Sequence, residues 1–251
     1  MSAQGGHLLR LRAVALALRG PPLQRDIMTN TLHRYGSGES FDDDFIVFAI
    51  PSRGFNDANS VEKQRRFLEI ARKYNPVNVG DASHGAIFHS SKNLTPSVHW
   101  RRVDKRDYEA VVNCVSCPTT VSAVFDNADD VVAFIKELKQ ADLGLSINIS
   151  ASLEKARDCA RRAGLERHSV EYSLGFIGQT DRMADRQTLE IATMCGHGML
   201  SFSFVRKLLD WVKQGRRSPE QASATLARFC SCGIFNPTRA CRLLEDAKKH
   251  S

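Results

Sequence analysis

Residues 44–50 read Asp44-Phe45-Ile46-Val47-Phe48-Ala49-Ile50, an apolar run of strand length within a chain of 251 residues. Its β-branched and aromatic residues predict a strand, and from Phe41 to Gly175 similar short runs alternate with helix-like stretches. This alternation is typical of α/β proteins that contain a mostly parallel sheet. We therefore predict an α/β domain over residues 41–180, with a parallel or mixed sheet and flanking helices.

Further elements of this domain follow from the spacing of apolar residues. The predicted strands cover residues 77–79, 108–113, 143–149 and 170–174, and the predicted helices cover residues 61–74, 128–140 and 152–163. Residues 81–106 are irregular and predict a long loop, with a short strand at 98–103. Loops of this length are uncommon unless they are functional or disordered.

From Asp185 onward the pattern becomes helical, which predicts an all-helical subdomain over residues 181–251. A helix is expected at 201–214. Ser218-Pro219-Glu220-Gln221 opens the next helix with a capping serine, proline at the first helical position and glutamine three residues after the cap. Asn236-Pro237 opens the final helix in the same way.

Residues 1–40 are predicted to be an N-terminal extension that is flexible or acts as a targeting segment. Its first part is rich in arginine, poor in acidic residues and amphipathic. It suits an organellar transit peptide, an interfacial helix, or translated sequence upstream of a natural start at Met28.

Composition excludes several classes of function. No stretch approaches the roughly 20 consecutive apolar residues that span a bilayer, so we expect a soluble protein without a membrane span. The net charge of +7 comes partly from residues 1–27 and is not accompanied by a nucleic-acid recognition motif, so nucleic-acid binding is disfavoured. A glycine-rich phosphate loop and a Gly-x-Ser-x-Gly elbow are both absent, which disfavours a nucleotide cofactor and serine-hydrolase chemistry.

The seven cysteines are odd in number and occur at short local spacings. In a chain of this size that pattern indicates a reducing compartment, where cysteines serve as metal ligands or redox groups more often than as disulfides. We expect a cytoplasmic protein, or one of an organellar matrix if residues 1–27 are a transit peptide. Cys159 and Cys241 lie beside apolar stripes and are predicted to be core residues.

The other five cysteines and one histidine form three short motifs at junctions between elements. Cysteines one or two residues apart can direct both sulfurs at one centre, and neighbouring glycines let the backbone approach closely. Helix N-termini after such loops stabilise the negative charge of thiolates. The sequence therefore predicts an iron–sulfur cluster, preferred, or a zinc ion, held by Cys114, Cys117, Cys195, His197, Cys230 and Cys232. Six candidates exceed the four ligands that one centre requires, so at least one is expected to be free.

Polar residues follow the predicted strands at the edge where open sheets collect their ligands. Ser52 and Arg53 are candidate substrate-binding residues, because a guanidinium can hold a carboxylate or phosphate through two hydrogen bonds. Asp81, His84 and His197 are candidate catalytic residues for proton transfer. An ordinary surface loop would explain the same residues.

These features favour an enzyme, either an oxidoreductase or a metal-dependent lyase or hydrolase, acting on a small polar or anionic substrate. A separate electron-transfer protein is a possible partner. Two alternatives stay open. One is a non-enzymatic interaction or regulatory protein whose structure zinc holds together, and the other is a metal-free thiol redox protein that uses Cys114 and Cys117.

Overall fold

The computed structural model describes residues 14–18, 32–88, 105–172 and 175–250. Within them, the strands are β1 (Val14–Leu18), β2 (Phe45–Ile50), β3 (Asn78–Asp81), β4 (Gly85–Ala86), β5 (Val121–Phe125), β6 (Ser146–Ala151) and β7 (Arg167–Tyr172). The helices are α1 (Ser60–Arg72), α2 (Tyr108–Cys114), α3 (Ala128–Ala141), α4 (Leu153–Arg162), α5 (Arg186–Ala192), α6 (Phe202–Lys213), α7 (Pro219–Ala227) and α8 (Pro237–Lys249).

The strands form one sheet in the order β4-β3-β5-β2-β6-β1-β7, and each neighbouring pair is antiparallel. The α/β class is confirmed, but the sheet that the sequence predicted to be parallel or mixed is antiparallel. Helix α1 joins β2 to β3, which run in the same direction, but β5 lies between them and pairs antiparallel with both. Likewise β2 lies between β5 and β6, which α3 connects. The β-α-β units are therefore split and interleaved, and strand periodicity carries no information about such pairing.

Strand β2 lies in the middle of the sheet and is buried on both faces because every one of its residues is apolar. Phe45, Val47 and Ala49 pack into a core that includes residues of helices α1–α4. The intervening side chains of Ile46, Phe48 and Ile50 pack into a second core that includes residues of helices α5–α8. The protein thus has three layers, which we call the first helical layer (α1–α4), the sheet and the second helical layer (α5–α8).

Residues 108–113, predicted as a central strand, instead form most of helix α2. Val111, Val112 and Val115 are buried, and Tyr108 packs against the same core. These four positions have the spacing of one helical face, and α2 packs on the sheet rather than within it. Cys114 consequently ends a helix and does not follow a strand.

The predicted caps of the last two helices are confirmed. Ser218 and Gln221 form a reciprocal capping box ahead of α7, with Pro219 in the first turn. Asn236 Oδ1 accepts the backbone N–H of Arg239 at 3.0 Å, at the start of α8. Residues 14–18, which the sequence placed in the extension, form β1 between β6 and β7. The strand predicted at 98–103 lies outside the described residues.

None of the described helices is both long enough and apolar enough to cross a membrane.

Candidate functional site

Two loops of the second helical layer bring cysteine and histidine side chains together. Cys195 and His197 lie in the loop after α5, whereas Cys230 and Cys232 lie in the loop between α7 and α8. The sulfurs of Cys230 and Cys232 are 3.7 Å apart, and the Cys232 sulfur lies 3.4 Å from His197 Nδ1. Cys195 and Cys230 are fully buried, Cys232 is half-buried and His197 is exposed. The sequence pattern identified all four of these residues.

The loop that carries Cys195 is held by the segment before β2. His33 N–H donates to the carbonyl oxygen of Gly196 at 3.3 Å, and Tyr35 N–H donates to Thr193 Oγ1 at 2.8 Å. Gly196 has a φ of +69°, and a β-carbon there would lie 2.8 Å from the side chain of Leu32. Only glycine therefore fits this turn without strain.

Backbone N–H groups favour the charged form of the two buried sulfurs: those of residues 197–199 act on Cys195, and those of residues 234 and 235 act on Cys230. These donors act to lower both pKa values. Burial, followed by the Cys230 thiol, nevertheless raises the pKa of Cys195. The hydrogen bond from the Cys230 thiol to Cys232 sulfur raises the pKa of Cys230 and lowers that of Cys232. Burial and the neighbouring thiols thus outweigh the backbone donors at Cys195 and Cys230, and of the three thiols only Cys232 has a lowered pKa.

The Cys232 loop rests directly on strands β3 and β5. Ser122 Oγ donates to the carbonyl oxygen of Cys232 at 2.9 Å. A β-carbon on Gly80 would lie 2.4 Å from that same oxygen, and one on Gly233 would lie 2.6 Å from the Gly80 backbone. The sheet therefore fixes the position of Cys232 through a contact that only two glycines allow.

We predict that Gly233→Ala destabilises the protein by roughly 2–5 kcal/mol, because left-handed strain adds about 1–2 kcal/mol to an overpacking cost of about 1–3 kcal/mol. Gly215→Ala is the matched control. Gly215 has a similar φ of +70°, but nothing lies within 4 Å of its β-carbon position. Urea denaturation should show a clearly larger loss for Gly233→Ala. Equal losses would mean that the contact with Gly80 contributes nothing.

A buried group of charges lies next to the two loops. Asp44 accepts hydrogen bonds from both Arg34 and Arg239, and all three side chains are at most 1% exposed. Burial and the neighbouring Arg239 lower the pKa of Arg34 well below its usual value, while the thiols of Cys195 and Cys230 oppose this. Arg34 Nε and Nη1 have no hydrogen-bond partner among the described residues. Arg34 and Arg239 thus share the Asp44 carboxylate, while the nearby carboxylates of Glu190 and Asp43 oppose the lowering of the pKa of Arg239. Nothing in the local sequence around Arg34 or Arg239 indicated this group.

Cys114 and Cys117 are not brought to the two loops. Cys114 ends α2 in the first helical layer, whereas Cys195 and Cys230 belong to the core of the second layer, on the other face of the sheet. Cys114 Sγ accepts a hydrogen bond of 2.8 Å from Arg106 Nη2. Among the described residues, no three of the six predicted metal ligands have donor atoms within 4.8 Å of one another. The six residues therefore divide into a group of four and a separate pair.

The predicted substrate-binding and catalytic residues after β2 and β3 lie at the same end of the sheet. The strand register places Ala49, Val121 and Asp81 in one row. Ser52 is buried and Arg53 exposed, and Ser52 Oγ has no hydrogen-bond partner in the described part of the chain.

Asp81 and His84 contact each other at this end of the sheet. His84 Nδ1 hydrogen-bonds to Asp81 Oδ2, and His84 Nε2 lies 2.9 Å from Ser116 Oγ. The sequence identified Asp81 and His84 but not Ser116, which lies 32 positions from His84 and carries no local signal. His197, the other predicted catalytic residue, lies in the second layer.

One further group of possible metal ligands is Glu220, Cys241 and Glu245, whose ligand atoms lie within 4.8 Å of one another. Burial, followed by the two carboxylates, raises the pKa of Cys241 to about 11. Cys159 is fully buried, as predicted, and burial raises its pKa to about 11.

Comparisons with protein families, curated proteins and solved structures found no significant match to this chain.

Proposed function

We propose that this protein binds a single tetrahedral metal ion, zinc in preference to others, through Cys195, His197, Cys230 and Cys232. The observation that carries the proposal is the pair of distances at Cys232, 3.7 Å to the Cys230 sulfur and 3.4 Å to His197 Nδ1. Two sulfurs bound to one tetrahedral ion with bonds of about 2.3 Å lie about 3.8 Å apart. The ligands of a four-iron cluster are bound to different irons and are farther apart.

The charge around the loops also supports a thiolate-bound ion. Three thiolates and one neutral imidazole around a divalent ion carry a net charge of −1. The group of Arg34, Arg239 and Asp44 carries +1, and two donor nitrogens of Arg34 lack partners among the described residues. Buried charges are stable when a compensating charge lies close to them. A thiolate-bound ion of charge −1 would place a compensating charge beside Arg34, which the sulfurs of Cys195 and Cys230 already influence.

Binding requires small side-chain rotations, since the four donors do not yet surround one point. His197 is exposed and its ring can turn toward Cys195 and Cys230 without disturbing the core. With four protein ligands the ion has no open coordination position, so its role would be structural: it would hold the α5–α6 and α7–α8 connections together.

The proposal implies a reducing compartment. All seven cysteines are free thiols. We place the protein in the cytoplasm, or in an organellar matrix if residues 1–27 direct it there, because three of these thiols must stay reduced to bind the ion.

Metal analysis of the purified full-length protein tests this function. We expect about one equivalent of zinc per chain and a colourless protein. Replacement of zinc by cobalt should give thiolate-to-cobalt charge transfer in the near ultraviolet and the strong visible bands of a tetrahedral site.

Two results would count against the zinc proposal. Anaerobically purified brown protein with iron and sulfide in similar amounts would instead support the iron–sulfur cluster. Metal-free protein whose thiol count changes reversibly on oxidation would support a redox dithiol, for which Cys230 and Cys232 are the closer pair.

A further inference from the structure

A second constellation, independent of the thiol loops, lies where β3 ends. Asp81 is the last residue of β3, His84 lies in the turn to β4, and Ser116 lies in the loop between α2 and β5. His84 Nδ1 contacts Asp81 Oδ2, and the opposite ring nitrogen of His84 lies 2.9 Å from Ser116 Oγ. The three side chains thus form a continuous hydrogen-bonded chain in the order of a carboxylate, an imidazole and a hydroxyl.

The chemistry of the partners fixes the direction of these hydrogen bonds. An ionised carboxylate only accepts, so the Nδ1–H of His84 donates to Asp81. In the neutral imidazole Nε2 then carries the lone pair, and the Ser116 hydroxyl donates to it. This is the tautomer that a general base needs in order to remove the serine proton.

Solvent exposure of the side chains increases from Asp81 through His84 to Ser116. The Asp81 side chain is 0% exposed, that of His84 is 17% exposed and Ser116 is exposed. A buried carboxylate keeps its orientation and its effect on the imidazole, whereas an exposed hydroxyl can meet a substrate. The gradient suits a nucleophile that reacts at the surface.

The loop that carries Ser116 is held at both ends. Arg65 Nε donates to the Val115 carbonyl at 3.0 Å, and Gln64 Nε2 donates to the Thr119 carbonyl. Ser83 Oγ, next to His84, donates to Thr119 Oγ1 at 3.0 Å. Helix α1 and the β3–β4 turn therefore set the distance between Ser116 and His84 in advance, as catalysis requires.

Donors for a developing oxyanion are present in the same loop. Among the described residues, the backbone N–H groups of Ser116 and Cys117 have no hydrogen-bond acceptor. Arg106 adds positive charge, with Nη1 donating to the His84 carbonyl at 3.1 Å. Free N–H groups beside the nucleophile are the usual components of an oxyanion hole.

We propose that Asp81, His84 and Ser116 form a nucleophilic site for acyl transfer from esters or thioesters. Ser116 Oγ attacks the carbonyl carbon while His84 Nε2 takes the hydroxyl proton. The bond from the carbonyl carbon to the leaving oxygen or sulfur breaks, and that atom receives the proton from His84. Water then attacks the acyl-serine by the same route, releasing the acid and restoring Ser116. Asp81 orients His84 and stabilises the imidazolium.

An alkyl fluorophosphonate probe tests this site on the full-length protein. Ser116 Oγ should displace fluoride from phosphorus, and peptide mass spectrometry should locate the adduct on Ser116. Ser116→Ala abolishes this adduct, and His84→Ala slows labelling at least about 100-fold, the contribution expected of a general base. The same substitutions should abolish hydrolysis of p-nitrophenyl acetate above the buffer rate.

Asp81→Asn separates a catalytic role from a structural one. Asp81 Oδ1 also accepts the backbone N–H of Ser83 at 2.6 Å and thereby closes the turn. Asparagine keeps an acceptor oxygen for this bond but presents an amide instead of a carboxylate to His84. We expect an unchanged denaturation midpoint with strongly reduced labelling.

A control variant completes the test. Ser203→Ala removes an exposed serine of α6 and should be labelled at Ser116 as in the unmodified protein. The proposal is overturned if folded protein gives no Ser116 adduct, or if His84→Ala and Asp81→Asn are labelled at the original rate.

Discussion

Asp44→Ala should lower the free energy of unfolding by about 3–5 kcal/mol, the cost of leaving buried charge unpaired. Asp44 lies just before β2 and its Oδ2 accepts from Arg34 and from Arg239, the latter at 2.9 Å. Its Oδ1 accepts from Asn236 Nδ2 at 3.1 Å, next to the cap of α8. Removal of this carboxylate leaves two buried guanidinium groups without the hydrogen-bonded anion that they share. The expected loss is a large part of the 5–15 kcal/mol that stabilises a typical domain.

The two guanidinium groups also repel each other across one aromatic ring. Arg239 Cζ lies 4.0 Å and Arg34 Cζ 5.0 Å from the centroid of Phe41. Burial is the main cause that lowers the pKa of Arg239 to about 10, so this side chain is still charged at neutral pH.

Asp43→Ala is the matched control for Asp44→Ala, because it removes the adjacent carboxylate from a partly exposed pair. Asp43 contacts Arg242 at 2.7 Å, and the two side chains are 23% and 38% exposed. Such a pair contributes about 1 kcal/mol or less. Guanidinium chloride denaturation of both variants should give a several-fold larger loss for Asp44→Ala. Similar losses in the two variants would show that burial of the charges does not matter here.

Cys232→Ser should reduce bound zinc from about one equivalent to almost none and raise its dissociation constant by more than about 100-fold. Losing a group that merely orients a ligand already costs about 10–100-fold in affinity, and Cys232 would be a direct ligand. Its sulfur is the donor that contacts both the Cys230 sulfur and His197 Nδ1. Elemental analysis and competition with a chromophoric chelator give the two quantities.

Cys117→Ser is the control for this experiment and also tests the wider ligand set. Cys117 is half-buried and follows α2, in the first helical layer. The variant should keep its zinc. If Cys117→Ser loses zinc as fully as Cys232→Ser, the four-residue site is wrong and all six predicted ligands must be reconsidered.

The sequence alone determined features that depend on neighbouring residues. Apolar spacing within one element located β2 and the last three helices of the second layer, because a helix or strand repeats its contacts every few residues. The caps at Ser218 and Asn236 were equally local, since each side chain bonds to an N–H three positions later. The Cys195-x-His197 and Cys230-x-Cys232 loops were visible for the same reason.

Features that depend on distant residues were decided by the tertiary structure. Insertion of β5 between β2 and β3 made the sheet antiparallel, and this pairing leaves no periodic signal in any one strand. Helix α2 was mistaken for a strand because its two consecutive valines suit either element until their packing partners are known. The sheet then placed Cys114 and Cys117 in a different layer from the other predicted ligands.

The polar sites show the same division. Asp81 and His84 are three positions apart and were proposed together, whereas Ser116 joined them only through the fold. Asp44 and Arg239 are 195 positions apart, and neither belongs to a recognisable motif. A local sequence pattern indicates which side chains could bind or react, because it depends only on residues a few positions apart. Their partners depend on how the layers pack, and that is fixed by long-range burial of apolar faces.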